Sequence, residues 1–276
     1  MRAAREPLCE GWAVCTVVVD FRPGDEVPVL LAGVRDEFTG RPWSGPGRHW
    51  PDRPGLVGGR DDLAGGTWLA VRADRARVAA VLNGRLSPRR EEGRRPVLDG
   101  RPAGGPPRRS RGELPLAAAM AGKLELGPPE LAAFDPFHLV CAEPSGVRMW
   151  SWDGRSLVES ELPEGVTVVV NTGLDALEPR AARFAPRFAA ARRPRPAAGG
   201  GGTAESWGEW RALADGDGLG VSDPATIVTR VELPDGAVWA STSTTLVALP
   251  AGPAARPRYD FSDRPGDPAR WREIAV

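Results

Sequence analysis

Residues 15–21, CTVVVDF, and residues 29–38, VLLAGVRDEF, decide the fold. Each is an apolar run rich in Val and Leu, and the polar stretch RPGDEVP parts them. Runs of this length bounded by turn residues predict the two strands of a β-hairpin. A hairpin returns the end of its second strand to the start of its first. Cys15 is therefore expected to meet Arg35, Asp36 and Glu37 at one end of the pair. A guanidinium beside a thiol favours the thiolate, the attacking form of cysteine. Another role stays open for Cys15, that of a small buried core residue.

Working outward, residues 38–64 carry Pro, Gly, Trp43, His49 and Trp50 and read as a long loop of the kind that covers a site. Residues 66–72 and 77–82 alternate and predict a second hairpin, ended by Asn83. Residues 86–110 hold seven Arg against three acids among Pro and Gly, which predicts a mobile insertion with no core of its own. No aromatics interleave with those arginines, so the segment reads as a solvated loop and not as a nucleic-acid surface. Residues 111–123 predict a helix, with Ser110 as N-cap and Glu113 at capping-box spacing. Residues 137–142 and 147–152 predict a hairpin, and 155–161 and 165–170 two more strands, the last followed by Asn171. Residues 177–192 predict a helix with Phe184 and Phe188 on one face. A Gly/Pro-rich linker at 194–203 and a short helix at 205–214 precede closing strands at 225–233, 236–249 and 257–262. Grouped strands, then helices, then strands exclude simple β-α alternation and predict an α+β fold with antiparallel sheets.

Composition narrows the function. The 36 basic and 36 acidic residues balance, so no global field draws the chain to nucleic acid or to an anionic membrane. No stretch reaches the roughly 20 apolar residues of a membrane span. Cys9, Cys15 and Cys141 form no metal-type pair, and an odd count without a framework fits a reducing cytosol. His49 and His138 are the only histidines, which argues against a histidine metal site or a Ser-His-Asp triad. DGDGLG at 215–220 fails as a calcium loop, because Thr226 stands where the twelfth-position Glu belongs.

The order of short motifs resembles the NRDE family, the bacterial relatives of the eukaryotic transport-and-Golgi-organisation proteins. It runs from Arg35-Asp36-Glu37 through Arg41-Pro42, Gly58-Gly59-Arg60-Asp61 and Gly65-Gly66-Thr67-Trp68-Leu69. It continues through Asn83, Ser110-Arg111-Gly112-Glu113-Leu114, Phe137-His138-Leu139 and Asn171. The resemblance covers most of residues 15–180. It implies an N-terminal-nucleophile (Ntn) hydrolase-like fold, a four-layer αββα sandwich with antiparallel sheets.

It also implies roles. Cys15 would be the nucleophile for cleavage of a linear amide, Arg35 its electrostatic support and Asp36 an orienting group. Asn83 and Asn171 would form the oxyanion hole and orient substrate. No cofactor and no metal are implied. The alternative is a non-catalytic protein on the same scaffold that handles a small-molecule ligand, acyl-lipid or haem-like. Three positions depart from the family. Val34 stands where the motif opens with Asn, Thr242 where relatives carry Arg, and His138 where they often have Asn. Relatives begin Met-Cys, and here fourteen residues precede Cys15. Initiation at Val14 followed by Met removal would expose Cys15, and its α-amine, with an ordinary pKa near 8, would then serve as base. The expected organisation is an extension at 1–14 and one domain at 15–276.

Overall fold

The computed structural model describes residues 15–85, 107–252 and 256–276. The first hairpin forms as read: β1 (Thr16–Phe21) and β2 (Val29–Phe38) pair antiparallel, with Thr16 opposite Val34. Every residue of β1 is buried, because layers cover both of its faces. Side chains alternate across a strand, so Val17, Val19 and Phe21 enter one core and Val18 another.

Two seven-stranded sheets result. The first runs β10 (Gly165–Val169), β1, β2, β12 (Val238–Leu249), β13 (Arg258–Ser262) and β14 (Trp271–Ile274), with β11 (Arg230–Glu232) added to β12. The second runs in chain order through β3 (Trp43–Gly47), β4 (Leu56–Asp61), β5 (Leu69–Arg72), β6 (Arg77–Asn83), β7 (Phe137–Glu143), β8 (Gly146–Trp152) and β9 (Leu157–Glu161). All strand pairings are antiparallel. Between the sheets, Val17, Val19 and Leu31 meet Leu69, Val71 and Val78. Outside the second sheet, α1 (Glu113–Ala121) and α2 (Pro128–Leu131) cover Ala79, Leu139 and Trp150. Outside the first, α3 (Pro179–Ala190), α4 (Thr203–Trp207) and α5 (Glu209–Ala214) cover Leu30, Ala32 and Leu246. The molecule is the four-layer αββα sandwich.

Several expectations change. The loop expected at 38–64 contains β3 and β4. Pro46 is tolerated in β3 because that strand is an edge. Gly58 and Gly59 hid β4, and both are there for close approach. A Cβ on Gly58 would lie 2.4 Å from the Leu69 carbonyl oxygen, and one on Gly59 would lie 2.2 Å from the Trp68 ring. Ser110 does not cap α1. The helix begins at Glu113 with Gly112 in the cap position, and Ser110 Oγ accepts the Gly112 N–H at 3.1 Å. Of the insertion expected at 86–110, residues 86–106 lie outside the described residues, as do residues 1–14. The end at 107–110 is docked, with Arg109 N donating to Ala133 O at 2.9 Å.

The stretch expected as a linker, 194–203, is held from beneath by buried charge. Arg258 donates to the carbonyls of Ala197, Gly200 and Gly201. Asp260, wholly buried, takes Arg258 Nε at 2.7 Å, Trp207 Nε1 at 2.8 Å and Thr203 Oγ1 at 2.5 Å. The carboxylate is thus saturated with donors, which is what a buried charge requires.

Candidate active site

Cys15 lies one residue ahead of β1. Thr16 pairs with Val34 on β2, and Val17 with Val169 on β10. One step further along the first register sets Cys15 beside Arg35, and two steps further along the second leads toward Asn171. Cys15 packs on the inter-sheet core, and its Sγ donates to the Asp36 carbonyl at 3.6 Å. With Arg35, Trp68, Leu69, Ala80, Leu82 and Thr245 it lines a cavity of about 20 Å³. That is room for one water.

Arg35 and Asp36 are neighbours in the chain and point to opposite faces of β2. Arg35 faces the inter-sheet cleft. Its guanidinium sits over the Trp68 ring at 4.6 Å, donates to Thr242 Oγ1 at 2.8 Å and pairs with Glu37 at 3.5 Å. Thr242 is presented by a β-bulge between Ser241 and Ser243, and its hydroxyl also donates to the Arg35 carbonyl at 3.2 Å. Asp36 faces the α3 layer. It accepts from Arg180 Nη1 at 3.0 Å and from Ser241 Oγ at 2.5 Å. Arg180 also reaches Thr16 Oγ1 at 3.5 Å, so one arginine ties the exit of β2 to the entry of β1.

These surroundings reverse the thiolate expectation. Burial pushes the Cys15 thiol up to about 11, and the Asp36 carboxylate adds to the rise. The Asp36 backbone and the Arg35 guanidinium oppose it only in part. Cys15 is therefore a neutral thiol at pH 7 and needs a base to attack. Asp36 is raised to about 6, first by burial, against the pull of Arg180 and Ser241. Burial lowers His138, whose Nε2 lies 3.2 Å from the Asn171 carbonyl and Nδ1 2.9 Å from Ser151 Oγ. Among the described residues no cluster of His, Cys, Asp and Glu could hold a metal ion, and no helix is long and apolar enough to cross a membrane.

Asn171 is buried at the first corner of a tight turn closed by the Val170–Gly173 bridge. Asn83 ends β6 next to Leu82. Leu82 and Ala80 face the inter-sheet core, whereas Asn83 continues the row of Ala79 and Val81 that faces α1. Val81 N donates across to Trp68 O and Gly84 N to Pro136 O on the other side, so by alternation the Asn83 N–H points past the start of β5.

Arg180, Ser241 and the supporting contact of Thr242 were not read from the sequence. Arg180 had a signal: it stands four residues before Phe184 and eight before Phe188, a charge in the apolar stripe of α3. Trp68 lines the cavity and carries Arg35. Trp50 is core, with Nε1 donating to the Gly65 carbonyl.

Residues 14–195 match the family model described as "Transport and Golgi organisation 2". A solved structure of a Caenorhabditis elegans N-acylethanolamine-hydrolyzing acid amidase ortholog is similar over 87% of this chain and 95% of that one, at 11% identity and a TM-score of 0.37. No curated protein matches the chain.

Proposed function

The chain belongs to the Transport and Golgi organisation 2 family, and from that premise we propose that it is a cysteine amidohydrolase acting on a linear amide through Cys15. The observation that carries the reading is the position of the thiol. Cys15 stands at the head of β1, turned into the cleft between the sheets, beside Arg35 and two register steps beyond the Val17–Val169 pair, toward Asn171.

In this reading the α-amine of Cys15 is the base that a neutral thiol requires. It takes the thiol proton as sulfur bonds to the carbonyl carbon, and the carbonyl oxygen becomes an oxyanion. The Asn83 N–H and Asn171 are the donors assigned to that oxyanion, a role worth about 3 kcal/mol per donor. The ammonium then returns its proton to the departing amine as the C–N bond breaks, leaving a thioester on Cys15. Water attacks the thioester, gives a proton to the α-amine, and the thiol and a carboxylic acid are released. Arg35 supports the developing charge. Asp36, held by Arg180, orients the β2 exit on which the thiol rests.

The amine exists only if Cys15 is the first residue, because a nitrogen acylated by Val14 is an amide and cannot act as a base. We therefore assign the active form to a chain that begins at Cys15. The family match, which starts one residue earlier, supports this. Intact-mass analysis of protein from the native host tests it: a mass beginning at Cys15 is expected, and a catalytically competent protein that retains residues 1–14 would rule out the amine mechanism. A second reading, ligand handling without hydrolysis, is favoured by the narrowness of the cavity, about 20 Å³, which is too small for an acyl group. Labelling of Cys15 by an acyl electrophile, followed by turnover, separates the two.

A further inference from the structure

We propose that Arg111 anchors a carboxylate on the ligand of this cleft, so that the amide it takes is small, linear and anionic. The proposal rests on the reading of Cys15 as the acylated residue and adds the substrate class. Among the described residues, the Arg111 side chain makes one hydrogen bond, from Nη1 to the Pro136 carbonyl at 3.0 Å, and no ion pair. The other site arginines are paired: Arg35 with Glu37, Arg41 with Asp61 and Arg180 with Asp36. Nearby carboxylates are engaged elsewhere, Asp135 by Arg108, Glu113 by Arg109 and Glu37 by Arg35 and Arg41.

Its place is fixed by backbone. Pro136 O also takes the Gly84 N–H at 2.8 Å, which sets Arg111 at the end of β6 beside Asn83. Gly112 O takes the Thr67 N–H at 2.9 Å, and a Cβ on Gly66 would lie 2.5 Å from the Gly112 carbonyl carbon. Residue 111 is thus clamped beside Trp68, the ring that carries Arg35. Burial lowers the pKa of Arg111, opposed first by Asp135 and then, among others, by Glu37 at the Cys15 end of the cleft. A half-buried cation without a counter-ion is unfavourable until an anion joins it. With Nη1 committed to Pro136, the edge formed by Nε–H and Nη2–H remains, and that fork matches a carboxylate.

The test compares two alkylating agents of similar size on the full chain, neutral iodoacetamide and anionic iodoacetate, with uptake at Cys15 read by peptide mass spectrometry. Their rate ratio cancels any change in the thiol itself. Arg111→Gln is expected to cut the iodoacetate-to-iodoacetamide ratio roughly tenfold, the scale of one charge-assisted hydrogen bond. Arg111→Lys, which keeps the charge and loses the fork, is expected to cut it less, by about threefold. An unchanged ratio in Arg111→Gln overturns the proposal; should that variant not fold, an unchanged ratio in Arg111→Lys does so. If Cys15 takes up neither reagent, the reading of Cys15 fails and the anchor is judged separately by thermal shift. Stabilisation by N-acetylglycine but not by its neutral amide, abolished in the Arg111 variant, supports it, and equal responses overturn it.

Discussion

At Cys15, desolvation outweighs the neighbouring guanidinium, and the thiol stays protonated. Alkylation of Cys15 by iodoacetamide in the full chain should therefore accelerate about tenfold per pH unit from pH 7 to 10, with its inflection near 11. A plateau below pH 8 would contradict this. Asp36 gives a second titration. Its pKa in the fold is about 6 against an ordinary 3.8, so between those values the native state binds more proton than the unfolded state. The stability it contributes is complete below about 4 and is lost as the pH rises through 6. Lowering the pH from 7.5 to 5 should raise the Tm of the wild type relative to Asp36→Asn, and a gap that does not move would count against the buried ionisation. Arg35 is only 6% exposed, so its guanidinium is a buried part of the sandwich. Arg35→Ala should cost about 1–3 kcal/mol in denaturant unfolding as well as slowing acylation of Cys15.

At the scale of elements, the predicted strands stand because apolar runs and alternation survive in sequence, as in residues 16–21 and 137–143. The strands that escaped reading are those whose residues serve a neighbour. β4 spends Gly58 and Gly59 on contact with Leu69 and Trp68, and β3 carries Pro46 at an edge. Strand β14 was missed for another reason: a four-residue edge, WREI, has too little pattern to count. The placement of Arg180, Ser241 and Thr242 depends on strands and helices far apart in the chain, so no local pattern could supply it. The buried group under α4 makes a prediction at this scale. Arg258→Met leaves Asp260 charged and short of donors and should cost about 3–5 kcal/mol, whereas Arg258→Met combined with Asp260→Leu should recover much of the loss. Equal losses in the single and double variants, measured by urea unfolding, would show that the carboxylate is not what matters.

At the scale of the whole molecule, two sheets frame the candidate site at one end of the sandwich. β1, β2 and β10 bring Cys15, Arg35 and Asn171 together from the first sheet, and the β5–β6 end brings Trp68, Leu82 and Asn83 from the second. The candidate residues were legible one by one, and their division between faces was not. Cys15 and Arg35 look into the cleft, while Asp36 looks outward to Arg180. The measurement that bears most directly on the claim is acid-quench mass spectrometry of protein beginning at Cys15, mixed with a short acyl p-nitroanilide. A thioester on the Cys15 peptide that forms and decays with turnover, and that is absent from the same protein carrying residues 1–14, is the predicted result. Release of p-nitroaniline undiminished by Cys15→Ala, or a protein that never carries the acyl group, would contradict it.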